Sequence, residues 1–113
     1  MEIKIEEEDG IKIIKIVGDL DGNTADEARE EIVPQIDGDA KLVFDMGQCG
    51  YVSSAGLRVL LITAKRIKAV EAYGVLANLL EEVKDVMEMT GFGHILPTAE
   101  TVDEAVAQIK EEG

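Results

Sequence analysis

The first eighteen residues read in alternation. Ile3 and Ile5 sit between charged side chains, an acidic run Glu6-Glu7-Glu8 follows, and after Asp9-Gly10 the apolar positions Ile11, Ile13, Ile14, Ile16 and Val17 resume. Alternation on both sides of an Asp-Gly pair predicts a β-hairpin, because glycine accepts the positive φ that a tight turn needs. Strands are expected at about residues 2–7 and 11–18, paired antiparallel, with the acidic run at the solvated hairpin end.

The period then lengthens. Thr24-Ala25-Asp26-Glu27 has the spacing of a capping box, in which the threonine oxygen and the glutamate each satisfy a free backbone N–H. Ala25, Ala28, Ile32 and Ile36 recur at helical intervals, predicting a helix to about residue 36 with Pro34 disturbing its last turn. Lys41-Leu42-Val43-Phe44-Asp45 is a short apolar run typical of a buried strand, and Gly47 and Gly50 mark the loop after it. Leu57, Leu60, Leu61, Ala64 and Ile67 are then expected to share the core-facing side of a helix. Lys65, Arg66 and Lys68 fall in its last turns, where cations suit the helix dipole.

Tyr73-Gly74-Val75-Leu76-Ala77 reads as a further strand, and Leu79, Leu80, Val83, Val86 and Met87 as a helical stripe stopped by Gly91. A short extended piece is expected near Ile95-Leu96. Thr101-Val102-Asp103-Glu104 is a second capping box, followed by an amphipathic helix through Val102, Ala105, Val106 and Ile109. One domain over residues 1–113 is expected, with an α/β fold: an open mixed sheet, hairpin first and then mostly parallel strands, with helices packed on it. In such sheets the loops leaving the carboxyl ends of the strands form the functional rim. Here those loops are residues 18–23 and 46–54.

Composition narrows the possible functions. Lys plus Arg is 11 against 24 for Asp plus Glu, a formal charge of −13 that repels nucleic acid and anionic lipid. Neither direct nucleic-acid binding nor a membrane association is expected. Cys49 is the only cysteine, the start Met1-Glu2-Ile3-Lys4-Ile5 has no apolar signal segment, and no long apolar run follows, so a cytoplasmic setting is expected.

The chemistry concentrates in Tyr51-Val52-Ser53-Ser54-Ala55-Gly56-Leu57, which passes straight into a helix. Two readings are open. One serine is an N-cap, accepting a backbone N–H for about 1 kcal/mol. Alternatively a serine hydroxyl is presented to another protein, with Ala55 and Gly56 leaving room for that protein's active site. On the second reading a phosphate would find free N–H donors at the helix start, and Gly56→Ala should be harmless to the fold, because helices favour alanine by about 1 kcal/mol.

Enzymatic readings find little support. Val52 stands where a nucleophile elbow needs glycine, and the one histidine, His94, lies some forty residues on. Asp19, Asp21 and Asp45 form a carboxylate cluster only if the fold gathers them, and solvated loop acids are the plainer reading. Cys49 has no neighbouring cation or second cysteine to lower its pKa.

Gly18-Asp19-Leu20-Asp21 with Asn23-Thr24-Ala25, then Val43-Phe44-Asp45-Met46, then the Ser53-Ser54 loop, resemble the STAS domain of bacterial anti-sigma factor antagonists. Leu80-Glu81-Glu82-Val83-Lys84-Asp85-Val86-Met87 and Thr90-Gly91-Phe92 extend the resemblance over nearly the whole chain. The resemblance implies a non-enzymatic regulator without cofactor, phosphorylated on Ser54, two residues before Gly56-Leu57. Ser53, where the family often has aspartate, is the alternative acceptor, and Ala55 stands where a hydroxyl residue is common. Asp21 matches an aspartate near the phosphoserine loop, and Asp21, Asn23, Ser53, Ser54 and Gly56 become the expected partner-binding residues. The implied partners are an anti-sigma factor that is also a serine kinase and a separate serine phosphatase. The alternative within the same fold is a non-phosphorylated scaffold, or a subunit of a stress-sensing or lipid-transport complex.

Overall fold

A computed structural model describes residues 1–112 of the chain. Five strands form one sheet in the order β1-β2-β3-β4-β5. These are β1 (Glu2–Glu8), β2 (Ile11–Val17), β3 (Lys41–Gln48), β4 (Tyr73–Ala77) and β5 (Thr98–Ala99). The first pair is antiparallel and the other pairs are parallel. Four helices complete the fold: α1 (Ala25–Ile32), α2 (Ser54–Ala69), α3 (Glu81–Met89) and α4 (Val102–Glu112).

The hairpin forms as the Asp-Gly pair predicts. Asp9 and Gly10 both take positive φ, 53° and 80°, which matches the turn to the strand twist. β2 and β3 are inner strands buried on both faces, which is why their sequences are nearly continuous apolar runs. Ile14, Ile16, Leu42, Phe44 and Met46 point toward α1, α2 and α3, while Ile11, Ile13 and Val43 meet α4 on the opposite face through Ala105, Val106 and Ile109. Edge strand β1 is mostly exposed, and its glutamates discourage pairing with another chain.

Five elements depart from the sequence expectation. β3 runs on through Gly47 to Gln48, where a loop is expected, and Leu80 is the exposed N-cap of α3 and not part of its buried stripe. α1 stops at Ile32 and continues as a 3-10 turn, Val33–Gln35, because Pro34 has no N–H to extend the α-helical ladder. The last strand falls at Thr98–Ala99 and not at Ile95-Leu96. Ile95 instead closes a 3-10 turn over Phe92–His94, and Leu96 is buried in the core. In α2 the buried stripe is Gly56, Val59, Leu60, Thr63, Ala64 and Ile67. Leu57 and Leu61 flank it, half-buried against the core and not at its centre. The stripe was displaced in the sequence because Gly56 and Thr63 do not look apolar. Thr63 nonetheless fits the core, its hydroxyl donating to the Val59 carbonyl at 2.9 Å.

The capping boxes have different outcomes. Thr101 accepts from the Glu104 N–H at 3.0 Å, as predicted, while the Glu104 carboxylate reaches the Glu100 N–H. Thr24 makes no such cap. Its hydroxyl turns back into the preceding loop, donating to the Asp19 carbonyl at 2.8 Å and accepting from the Asp21 N–H at 3.0 Å.

Candidate functional site

The loops after β2 and β3 leave the same rim of the sheet and are stitched together. The Gly18 N–H donates to the Gln48 carbonyl, the Leu20 N–H to the Tyr51 carbonyl, and the Ser53 N–H to the Leu20 carbonyl, each at 2.9–3.0 Å. Leu20 and Val52 pair as an isolated parallel bridge, and both side chains are buried. The rim is therefore a small continuation of the β2–β3 ladder. It fixes where α2 begins.

At that start the two serines have separate tasks. Ser53 is the N-cap in extended conformation, φ −84° and ψ 179°, and its Oγ accepts from the Gly56 N–H at 3.3 Å. Its side chain is half-buried. Ser54 is the first helical residue, is exposed, and its hydroxyl has no hydrogen-bond partner among the described residues. The capping reading of the serine pair therefore belongs to Ser53, and Ser54 is left free of that role.

Gly56 does not belong to the exposed rim. It is buried, and a Cβ added there would overlap the Leu20 carbonyl oxygen and lie 2.9 Å from its carbon. The expectation that this glycine leaves room for a partner is corrected: it lets the first turn of α2 pack on the backbone of the β2–α1 loop.

That loop is held by its own polar groups. Asp21 is half-buried, and its Oδ1 accepts from the Asn23 N–H at 2.9 Å in an Asx turn. The Asp21 carbonyl accepts from the Thr24 and Ala25 N–H groups. Asn23 is exposed beside this turn. Asp21, Asn23, Ser53 and Ser54 therefore lie on one pair of joined loops.

The other candidates have different settings. Asp45 shares the α4-facing side of β3 with Val43, and its Oδ1 accepts from the Gly47 N–H at 3.0 Å and the Asn78 side-chain amide at 3.1 Å. It is not gathered with Asp19 and Asp21, and among the described residues no group of three His, Cys, Asp or Glu is placed to hold a metal ion. His94 ends the 3-10 turn that follows α3 and is exposed, and it makes no side-chain hydrogen bond among the described residues. Cys49 is fully buried with its Sγ 3.5 Å from the Tyr51 carbonyl, and burial pushes its thiol pKa up. It is a core residue and not a nucleophile.

Beside Ser54 a groove of about 340 Å³ runs between α1 and α2. Ala25, Asp26 and Arg29 line one wall, and Ser54, Arg58 and Ile62 the other. Neither arginine stands in a recognisable motif of the sequence. The spacing of Arg58, four residues after Ser54 on a helix, was the available signal.

The comparisons with known proteins agree with this architecture. The model of the STAS domain family matches residues 2–105. The chain belongs to the STAS domain family. A protein of Bordetella bronchiseptica named as an anti-sigma factor antagonist, BtrV, is 35% identical over 111 residues, covering 97% of this chain and 96% of the relative. The crystal structure of a protein described as an anti-sigma factor antagonist of Thermotoga maritima superposes with a TM-score of 0.86 at 18% identity, over 96% of this chain and 94% of that one. The anti-sigma factor antagonist SpoIIAA in its unphosphorylated form gives a TM-score of 0.76 at 19% identity, covering 97% of both chains. The STAS domain here is a regulatory module and not an enzyme. No helix among the described residues is long and apolar enough to cross a membrane.

Proposed function

We propose that this STAS domain is an anti-sigma factor antagonist, which binds an anti-sigma factor when Ser54 is unmodified and so frees a sigma factor. Phosphorylation of Ser54 by that anti-sigma factor, acting as a serine kinase, ends the interaction, and a separate serine phosphatase restores it. In the transfer the γ-phosphoryl of ATP passes to Ser54 Oγ, ADP leaves, and the hydroxyl proton is released. ATP belongs to the kinase. The general role is the one its relative BtrV is named for.

The observation that carries the choice of residue is the division of labour between the serines. Ser53 caps α2 and is half-buried, whereas Ser54 is exposed with an unengaged hydroxyl on the joined loops. A kinase reaching Ser53 would have to break the cap. A phosphate on Ser54 leaves that hydrogen bond in place and adds nearly two negative charges to the contact surface. Binding is then opposed by repulsion and by the desolvation of a dianion.

Incubation with the cognate kinase and ATP, followed by mass-spectrometric mapping, tests this directly. Phosphate is expected on Ser54. Phosphate on Ser53 overturns the assignment, and no phosphate on either residue removes the switch and leaves a constitutive binding module.

A further inference from the structure

Acidic side chains outnumber basic ones 24 to 11 in this chain, yet the groove beside Ser54 reverses the balance. Its charged lining is Arg29, Arg58 and Asp26, two cations against one anion. Neither arginine makes a hydrogen bond or an ion pair among the described residues. The one salt bridge there joins Lys110 to Asp9, at the hairpin turn at the other end of β2. Arg66, by contrast, is engaged, donating its Nε to the Ile36 carbonyl at 3.3 Å. Two unengaged guanidinium groups facing one groove in so acidic a protein call for an anion.

Position supplies one. Arg58 lies one turn beyond Ser54 on the same face of α2, the spacing at which helical side chains meet. α1 and α2 both start at the rim and run away from it side by side, so Arg29 lines the opposite wall. We propose that Arg58 and Arg29 are the receptor for the phosphate on Ser54, holding it in the α1–α2 groove of its own chain. This rests on Ser54 being the modified serine.

The guanidinium fork matches phosphate oxygens and strengthens each hydrogen bond by its charge. Arg58 makes the nearer contact and Arg29 closes over the phosphate from the other wall, while the Asp26 carboxylate repels the phosphate and keeps the hold reversible. The held phosphate occupies the groove next to Ala25 and Ile62, so it withdraws the two arginines and this apolar lining from a partner. In the unmodified protein the same arginines stay open to the solvent.

The test uses full-length protein with phosphoserine installed at position 54 during translation, in the parent and in the Arg58→Gln and Arg29→Gln variants, which keep the aliphatic stems. A ³¹P NMR pH titration at low salt reads the second phosphate ionisation. Loss of either arginine should raise that pKa by roughly half a unit to one unit, because an opposite charge nearby favours the dianion. The difference should shrink as salt is added. Three coincident titrations would overturn the proposal. The same phosphoproteins, titrated with the partner kinase, separate this claim from the switch itself. A phosphate that responds to the arginines but leaves partner binding intact sinks the switch and not the receptor, and a phosphate that abolishes binding while ignoring both arginines does the reverse.

Discussion

The main-chain carbonyl of Leu20 occupies the space that a side chain at Gly56 would need, so the β2–α1 loop and the first turn of α2 are in backbone contact. The Leu20 carbonyl also accepts from the Ser53 N–H, which places the helix start and the loop in a single register. A helix-propensity argument favours alanine at position 56 by about 1 kcal/mol, but the overlap with main-chain atoms works against it. Gly56→Ala should therefore destabilise the protein by about 1–3 kcal/mol, the usual range for overpacking. Urea unfolding measures this. An unchanged or raised midpoint would contradict the contact.

The serines should separate in stability as they do in position. Ser53→Ala removes the oxygen that accepts the Gly56 N–H and should cost about 1 kcal/mol. Ser54→Ala removes an exposed hydroxyl with no internal partner and should change stability by less than about 0.5 kcal/mol. Equal losses in chemical denaturation would mean that the cap is shared.

Leu60 and Leu61 are neighbours in sequence but not in environment. Leu60 is 1% exposed, whereas Leu61 only borders the core. Leu60→Ala should cost about 2–5 kcal/mol and Leu61→Ala clearly less. Thermal unfolding of the two variants, compared with the parent, checks the order. A larger loss at Leu61 would restore the stripe read from the sequence.

Much of this fold was legible because the local signals and the packing agree. The Asp9-Gly10 turn, the apolar runs of β2 and β3 and the stop at Gly91 each have one dominant physical cause, and each stands where the sequence puts it. The failures come from groups whose role is set by distant neighbours. Thr24 has the spacing of a cap, yet the Asp19 carbonyl and the Asp21 N–H take its hydroxyl. Gly56 looks like open space for a partner until Leu20 is placed beside it. The Ser53-Ser54 pair was visible as a candidate, but only the helix start shows which hydroxyl is occupied. The Arg29–Arg58 groove depends on how α1 and α2 lie together, which no local pattern encodes.

Cys49 gives a pH prediction with a definite sign. Burial raises its thiol pKa above the ordinary value, so the folded protein keeps the thiol proton to a higher pH than the unfolded chain does. The contribution of this residue is intact below the ordinary thiol pKa and is lost as pH rises through the folded value. Stability of the parent should accordingly fall more steeply at alkaline pH than that of Cys49→Ala. In native protein at neutral pH, an alkylating reagent should label Cys49 only as fast as the structure opens. Rapid stoichiometric labelling would show an accessible thiolate and contradict the buried placement.

The proposed switch requires that Ser54 control binding without controlling folding. The most direct measurement is calorimetric titration of the proposed partner, an anti-sigma factor kinase, with four forms of this protein: unmodified, Ser54→Ala, Ser54→Asp and Ser54 phosphorylated. Unmodified protein and Ser54→Ala should bind alike. Ser54→Asp should bind more weakly, and the phosphoprotein most weakly of all, because phosphate carries nearly twice the charge of a carboxylate. All four should unfold at closely similar temperatures. Equal affinity across the four forms, or a loss of affinity that tracks a loss of folded structure, would contradict a switch at Ser54.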